Sequence, residues 1–568
     1  MAATGVEQEL IDLIAIFIIA AGVGVFVAKV GRFPYTIALL IAGFGASALG
    51  VGTELSIPIS HDIILFVLLP PLLFEGAANT ELEQFRRNFP PIIALAVLGL
   101  LVSVAVLGVV SASALGLPAL VALLFAAMIL PTDPVSVLAL FKELGAPDRL
   151  SVLVEGESLI NDGTGVVLYT VVLGLIAEYD VATTALSDLL NPGVLGHVAV
   201  EILYVSIGGA LVGLAGGYVV YRVMYNLDEH MTETVLALIL AYGSFLLAEH
   251  YFHVSGVIAC VVAGLFIGNR AVEYAMSPQT KITVFNTFET GGFLANTFIF
   301  IMIGVKTPLS QLVDHAGIIA VAIPLVLVAR AAGLYPTLAV VNRVTDTTVE
   351  WDYQHVLWWA GLHASIPIAL VLGLPPETPY RTELRALVFG VAAFSLVVQG
   401  LTMSRYLDFL GVVTRSESQQ LYELLSGRAR AVDEALDAAD RLKRRGDLPG
   451  DVYDEFTSEY REEREALATA ITQLLREHPE LRHEQQLAGE RRVLKQEKSA
   501  VMDAMRRGII SDDVGDELLR EVNLKLDQVQ SGETTVSGEG EGFEEFWRER
   551  AREYGLDVDD PETAAEDS

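Results

Sequence analysis

The sequence predicts an all-α membrane protein of about 13 transmembrane helices, some of them discontinuous, followed by a cytoplasmic helical tail. Of its 568 residues, 52% are hydrophobic, and the mean hydropathy is +0.49. Charge is unevenly distributed, because residues 1–410 contain 15 Lys or Arg and 31 Asp or Glu, whereas residues 411–568 contain 22 and 39. This distribution excludes a single soluble globular domain. We expect a membrane domain at 1–411, an amphipathic helical domain at 412–530 and an acidic, mostly disordered tail at 531–568.

Thirteen apolar segments are recognisable, and most are long enough to cross about 30 Å of hydrocarbon as a helix. They are residues 10–29, 34–51, 60–77, 90–113, 118–141, 157–177, 195–221, 232–251, 254–270, 286–305, 316–341, 355–374 and 383–403. The first lacks a basic leader and a small-residue cleavage site, so we interpret it as a retained helix. Loops after odd-numbered segments carry twelve Lys or Arg against three in the others. This bias predicts a multi-pass protein of the cell membrane with an outside N-terminus and a cytoplasmic C-terminus.

Composition excludes several classes of protein. A single cysteine, Cys260, excludes a disulfide framework. The net charge is −33 and only 8 of the 37 basic residues are lysine, so nucleic-acid binding is not expected. We interpret the acidity as adaptation to a high-salt cytoplasm; an acidic tail in an ordinary cell is the alternative. The sequence contains no phosphate-binding loop, dinucleotide glycine pattern or zinc-protease motif, so we expect no cofactor and no enzyme.

Of the ionisable side chains within the predicted spans, where burial is costly, six are singled out as functional candidates. They are Glu75, Asp133, Glu157, Asp162, Arg330 and His363. Asp133 lies between Pro131 and Pro134, and a proline in a helix frees the carbonyl four residues before it. Unpaired backbone at membrane depth must be buried in protein or line a wet cavity, and such broken helices mark cation sites in transporters. Pro367 has the same effect on the carbonyl of His363; a simple kink is the alternative.

Helical spacing assigns different roles to the polar residues of the sixth span. Ser158 and Asp162 are four residues apart and share a helix face, which suits an ion pocket. Glu157 is about 140° from Asp162 around the helix axis, so it needs another partner. We expect a structural ion pair between Glu157 and Arg330. Asn161 is neutral and can orient a neighbouring carboxylate through hydrogen bonds.

These oxygen ligands predict the kind of ion. Several carboxylate and hydroxyl groups, without a cluster of Cys or His, suit a hard cation rather than a transition metal. A carboxylate that binds a cation also binds a proton. If one site must release either ion before it takes the other, the cycle is an antiport of monovalent cations and protons across a lipid bilayer.

The chain resembles the monovalent cation/proton antiporter family, in its sodium/proton exchanger branch, over most of residues 10–411. The most specific strings are Thr-Asp-Pro-Val at 132–135 and Gly-Glu-Ser-Leu-Ile-Asn-Asp at 156–162. Supporting strings are Leu-Pro-Pro-Leu-Leu-Phe-Glu at 69–75, Phe-His-Val-Ser-Gly at 252–256, Phe-Ile-Phe-Ile-Met-Ile-Gly at 298–304 and Val-Gln-Gly-Leu-Thr at 398–402. With its acidic composition, the chain is most similar to prokaryotic, haloarchaeal-like members.

The resemblance implies thirteen helices with inverted repeats, a homodimer, and alternating access by an elevator-like movement. It implies that Asp162 is the essential carrier of cation and proton, with Glu75 as a further ligand or helper. The implied Na⁺ site consists of Asp162, Asp133, Thr132 and Ser158. Another branch has two aspartates where this chain has Asn161 and Asp162, which implies electroneutral exchange of one cation for one proton.

One departure from the family concerns the twelfth span. The family usually has Gly-Gly-Leu-Arg-Gly there, whereas this chain has Ala-Gly-Leu-His-Ala at 360–364. His363 thus replaces a fixed charge and leaves Arg330 as the basic residue deep in the later spans. Because histidine titrates near neutral pH, His363 is a candidate pH sensor; a neutral, hydrogen-bonded histidine is the alternative.

The tail reads as four amphipathic helices with alternating charges, near residues 419–442, 453–475, 488–509 and 513–529. We expect a regulatory or dimer-stabilising domain whose ligand the sequence does not indicate, with a solvated helical appendage as the alternative. Residues 543–547 could form a short docking helix.

Other functions were weighed against Na⁺ (or Li⁺)/H⁺ antiport. The nearest alternative is an antiporter of the same fold that transports K⁺. An intramembrane aspartyl protease would use Asp133 and Asp162, but its Gly-x-Gly-Asp string is absent from the sequence. A transport-dead sensor that signals through the tail is disfavoured by the intact Asp162, Asp133 and Ser158.

Overall fold

The computed structural model of the protein consists of two compact units, Met1–Thr414 and Arg415–Ser568. It describes residues 5–30, 34–48, 62–133, 135–181, 191–227, 229–307, 309–345, 347–412, 417–506 and 508–530, with the single positions 184, 532 and 534. Pro134, most of the predicted acidic tail and the whole of its docking helix lie outside the described residues. All regular secondary structure in the described ranges is helical, as the sequence predicts.

Seventeen helices of the first unit lie in the described ranges. They are α1 (Gly5–Val30), α2 (Tyr35–Ala48), α3 (Ile63–Asn79), α4 (Leu82–Arg87), α5 (Phe89–Ala114), α6 (Ala119–Ile129), α7 (Val135–Leu144), α8 (Asp148–Glu178), α9 (Pro192–Met224), α10 (His230–Phe252), α11 (Gly256–Ala271), α12 (Pro278–Lys306), α13 (Leu309–Asp314), α14 (Ala316–Val344), α15 (Trp351–Trp359), α16 (Ser365–Leu372) and α17 (Arg381–Leu410). Eight described helices are long and apolar enough to cross a membrane, and four more are apolar but shorter. The count of thirteen crossings stays a prediction.

Two predicted spans are interrupted at the places that the prolines indicate. The fifth span consists of α6 and α7 with an unwound stretch at 130–133, and the twelfth consists of α15 and α16 with one at 360–364. The two stretches meet, since the backbone N–H of Asp133 donates to the carbonyl of Leu362 at 2.7 Å. If the first six and the last six predicted spans are counted separately, the interrupted span is the fifth in each set. An internal repeat would give this placement.

Packing brings α8 and α12 to the middle of the unit. Helix α8 packs mainly on α5, α6 and α9, whereas α12 packs on α2, α3 and α10. The contact of α2 with α12 is a backbone contact, because a Cβ at Gly43 would lie 2.4 Å from the carbonyl oxygen of Ile301. Helices α8 and α12 begin earlier than the apolar windows at 157 and 286 indicate, because polar first turns extend them to Asp148 and Pro278.

The second unit contains α18 (Glu417–Arg445), α19 (Gly450–Glu477), α20 (Pro479–Arg506) and α21 (Asp512–Gln530). Helix α18 packs on α19, and α20 packs on α21. The third helix begins at Pro479 rather than at 488, because proline at the first helical position starts a helix instead of interrupting it. An apolar cluster of Leu494, Val522, Leu526 and Val529 joins α20 to α21.

Candidate functional site

A cavity of about 240 Å³ lies beside the crossing of the two interrupted spans. Its polar lining consists of Glu75, Asn79, Asp133, Glu155, Ser158, Asp162, Asn296 and Ser365, and its apolar lining includes Leu69, Leu72, Leu73, Leu138 and Leu159. Four of the residues singled out from the sequence, Glu75, Asp133, Ser158 and Asp162, therefore face one space. Carboxylates are rarely gathered at membrane depth without a function.

Asp162 is a buried acid of this cavity with an unsatisfied oxygen. It lies in the middle of α8 and is 8% exposed. Its Oδ1 has no hydrogen-bond partner among the described residues. A buried carboxylate oxygen without a partner is unfavourable, and either a proton or a cation would satisfy it. One helical turn earlier, Ser158 lines the same wall and donates its hydroxyl hydrogen to the carbonyl of Thr132.

Asn161 fixes the unwound stretch of the fifth span. Its Nδ2 donates to the hydroxyl of Thr132 at 2.9 Å, and its Oδ1 accepts the backbone N–H of Thr132 at 3.3 Å. The sequence suggested that this amide orients a neighbouring carboxylate, but both polar atoms of its side chain engage Thr132 instead. Thr132 itself lies behind Ser158 and is not part of the cavity lining.

Asp133 is held by the opposite interrupted span. Its Oδ2 accepts the hydroxyl of Ser365 at 2.8 Å. Ser365 is the first residue of α16, so the carboxylate lies at a helix N-terminus, where the helix dipole stabilises negative charge. Sequence reasoning missed Ser365, although a serine directly after a predicted break and two residues before Pro367 is a recognisable helix start.

The α3 and α12 side of the cavity contains further polar groups. The carboxylate of Glu75 lies against Gly292, so a side chain at that position would have to displace it. Glu155 was missed because the apolar window of the sixth span begins at 157 and leaves it outside. Asn296 was missed because a neutral amide in an apolar span gives no charge signal.

Glu157 and Arg330 form a buried ion pair outside the lining of this cavity. The guanidinium nitrogens Nη1 and Nη2 donate to Oε1 and Oε2 of Glu157 at 3.1 and 3.3 Å, and Nη2 also donates to the carbonyl of Leu357 at 2.9 Å. The two residues are 5% and 8% exposed. Gly361 makes the arrangement possible, since a Cβ there would lie 2.3 Å from Nε of Arg330. The structure thus pairs Glu157, which helical spacing places away from Asp162, with its expected partner Arg330.

His363 ties the two unwound stretches together. Its backbone N–H donates to Oγ of Ser395 at 3.0 Å, and its ring Nδ1 lies 3.2 Å from the carbonyl oxygen of Pro131. A carbonyl oxygen only accepts, so Nδ1 carries the hydrogen of this bond. The side chain does not line the cavity of about 240 Å³ that Asp162 borders. A hydrogen-bonded histidine at the helix crossing is the arrangement that the structure shows.

A second, larger cavity of about 430 Å³ begins at Val166, one helical turn beyond Asp162. Its titratable lining residues are Glu178, His197, Glu201, Glu249 and His253. None of the site residues predicted from the sequence lines it. Successive turns of α8 therefore line the two cavities, and Asp162 lines the smaller one.

The chain is similar to known proteins over most of its length. The family model described as "Sodium/hydrogen exchanger, transmembrane" matches residues 14–408. The Na⁺/H⁺ antiporter NhaG of Bacillus atrophaeus is 36% identical over 515 residues, which cover 88% of this chain and 94% of the relative. The Na⁺/H⁺ antiporter ApNhaP of Aphanothece halophytica is 34% identical over 409 residues, 71% of this chain and 75% of the relative.

A solved structure shows the same fold. It is that of the sodium proton antiporter MjNhaP1 from Methanocaldococcus jannaschii, with a TM-score of 0.57 and 20% sequence identity. The superposition covers 72% of this chain and 99% of the other. At this identity the likeness concerns the fold alone. The interrupted spans and the cavity described above are features of this chain.

Proposed function

The chain belongs to the sodium/hydrogen exchanger family, a family of transporters and not of enzymes, and we propose that it exchanges Na⁺ or Li⁺ for H⁺ across the cell membrane. The relatives that carry the name Na⁺/H⁺ antiporter at 34–36% identity support this activity. The observation that carries the proposal is the buried Oδ1 of Asp162, which has no partner in the described part of the chain and borders a cavity with other oxygen ligands.

The proposed mechanism is competition of one cation and one proton for Asp162. In the cation-bound state, Asp162 contributes a carboxylate oxygen, with Asp133 and Ser158 as further Na⁺ ligands. Thr132, which the resemblance implies as a ligand, lies behind Ser158 and outside the cavity lining, so it supports the site by accepting the Ser158 hydroxyl hydrogen at its carbonyl. In the proton-bound state, the proton neutralises Asp162 and no cation binds. Because neither ion binds while the other is present, each half-cycle carries one charge, and the exchange is electroneutral.

In the proposed cycle, the other polar groups near Asp162 keep the same charge throughout. Asn161 is neutral and holds Thr132 in place, and the charges of Glu157 and Arg330 cancel each other in a structural pair. Glu75 is a helper on the α3 wall. The role of His363 as a pH sensor stays a prediction.

Alternating access would move the interrupted spans together with α8 relative to α3 and α12, and so expose the cavity to either side in turn. The Lys/Arg bias supports an outside N-terminus and a cytoplasmic C-terminus. A homodimer and a regulatory role of the tail at 412–530 belong to the same proposal. The alignment with NhaG covers 88% of this chain, more than the membrane domain alone, which supports a function for the tail in both proteins.

Proteoliposomes containing the purified chain and an internal pH dye test the proposal. A Na⁺ gradient should move protons in the opposite direction, and Asp162→Asn should abolish this flux while the protein stays folded by size-exclusion chromatography. The change removes the titratable group at nearly constant volume. Flux in Asp162→Asn at any pH would exclude Asp162 as the carrier. Flux driven by K⁺ and not by Na⁺ would favour the K⁺/H⁺ alternative.

A further inference from the structure

A buried amide oxygen faces the cation site from the wall opposite α8. Asn296 lies on α12 and lines the cavity that Ser158 and Asp162 line from the other side. Its Oδ1 is buried and has no hydrogen-bond partner among the residues that the structure describes. Oδ1 of Asp162 is in the same situation. Two oxygens without partners thus border one cavity of about 240 Å³.

The α12 face that carries Asn296 is the one in contact with the acidic part of α3. Gly292 lies one turn before Asn296, and residues four apart share a helix face. A Cβ at Gly292 would lie 1.9 Å from Oε2 of Glu75. The backbone of α12 is therefore pressed against this carboxylate, which places the Asn296 side chain one turn further along the same wall.

An unpartnered amide oxygen is an unfavourable choice for a purely structural position. Its burial without a hydrogen bond costs free energy that an apolar side chain of similar size would not. An amide oxygen is, however, a suitable ligand for a hard cation. Unlike a carboxylate oxygen, an amide oxygen does not bind a proton in the working pH range.

We propose that Oδ1 of Asn296 coordinates the transported cation and makes this site favour the cation over the proton. The inference rests on the proposed antiport function. Asp162 binds either ion, whereas Asn296 stabilises only the bound cation. Asn296 therefore lowers the KM for the cation, and the number of protons exchanged in each cycle stays at one.

The position of Asn296 also links binding to movement. Helix α12 packs on α2, α3 and α10, whereas α8 packs mainly on α5, α6 and α9. A cation held by Asn296 and Asp162 is therefore bound by two sets of helices at once. Displacement of one set relative to the other removes the Asn296 ligand, so the cation is held most tightly on the side to which this cavity opens.

The test compares Asn296→Ala with Asn286→Ala in the full-length protein reconstituted into liposomes. Asn286 lies on the same helix and is exposed, so it controls for loss of an asparagine from α12. We expect Asn296→Ala to raise the KM for Na⁺ about tenfold, as for loss of one bond to a charged group, with little change in kcat. Asn286→Ala should leave KM unchanged. An unchanged KM in Asn296→Ala, with the wild type active, overturns the inference.

Thermal unfolding separates a ligand from a structural residue. Because alanine removes an unpartnered polar group, Asn296→Ala should be at least as stable as the wild type in Na⁺-free buffer. The rise in Tm that Na⁺ produces by binding the folded state should be much smaller than in the wild type. A lower Tm without Na⁺, together with an undiminished Na⁺-dependent rise, would show a structural role and refute the proposal.

Asn296→Asp gives a second, independent readout. It keeps an oxygen at the same position and adds a titratable group, so KM for Na⁺ should fall at high pH and depend more steeply on pH than in the wild type. A pH profile identical to that of the wild type would contradict the assignment. Absence of Na⁺-driven flux in the wild type would instead refute the antiport function itself.

Discussion

Removing either partner of the Glu157–Arg330 pair should destabilise the membrane unit strongly. Two unit charges about 4 Å apart interact by about 4 kcal/mol at an effective dielectric constant near 20. Both side chains are more than nine-tenths buried and joined by two hydrogen bonds at 3.1 and 3.3 Å. Breaking such a pair leaves the other charge buried and uncompensated, which costs about 3–5 kcal/mol.

The two single changes should differ in size. Glu157→Gln leaves Arg330 with an amide oxygen and with the carbonyl of Leu357 as acceptors. Arg330→Ala removes both hydrogen bonds of the Glu157 carboxylate to the guanidinium and also creates a cavity. We therefore expect Arg330→Ala to be the more destabilising of the two. The double variant should lose less stability than the sum, by about 2–3 kcal/mol.

Thermal unfolding of the detergent-purified full-length protein measures these effects. The exposed pair Glu83–Arg87 is the matched control, because its carboxylate and guanidinium lie 3.2 Å apart but are 50% and 43% exposed. Glu83→Gln and Arg87→Ala should change stability by no more than about 1 kcal/mol. The Na⁺ KM of folded Glu157→Gln should stay near that of the wild type. Strict additivity of the two buried changes would reject the pairing as an energetic unit.

Three further predictions concern pH and voltage. Below the pKa of the shared Asp162 carboxyl, the KM for Na⁺ should rise about tenfold per pH unit and level off above it, and a KM that does not vary with pH would refute a single shared site. One-for-one exchange moves no net charge, so proton flux in proteoliposomes should be the same with and without a valinomycin-clamped potential; a clear voltage dependence would refute that stoichiometry. In the tail, hydrogen bonds from Arg428 at 2.7 and 2.9 Å lower the pKa of Glu463 from its ordinary 4.5, so this stabilising contact is present at neutral pH and is lost as the pH falls through the lowered pKa. The protection factors of amides in α18 and α19, which are corrected for the intrinsic pH dependence of exchange, should accordingly fall at acidic pH, and an Arg428→Ala variant should show no such pH step; equal profiles would remove the pair from the tail's acid response.

The sequence predicts the membrane helices and the interrupted spans because both depend on local signals. Apolar length and proline position are properties of single segments, and each predicted segment that the structure describes is helical. The pairing of Glu157 with Arg330 could be predicted because an intramembrane charge needs a countercharge and few were available. Ser365 carries a local helix-start signal and Glu155 lies two residues outside the predicted span, but that these two and Asn296 line one cavity depends on which helices cross, which local signals do not show.

The crossing explains why the acids of one cavity behave differently. Asp133 accepts a hydrogen bond from Ser365 and lies at the N-terminus of α16, so its negative charge is stabilised without a bound ion. Asp162 lies mid-helix, away from any helix end, and one of its oxygens has no partner in the described chain. The group with the fewest fixed partners gains most from binding a cation or a proton. In the proposed cycle, Asp133 therefore stays charged while Asp162 exchanges its ion, and this difference would let a site with two aspartates move a single charge in each half-cycle.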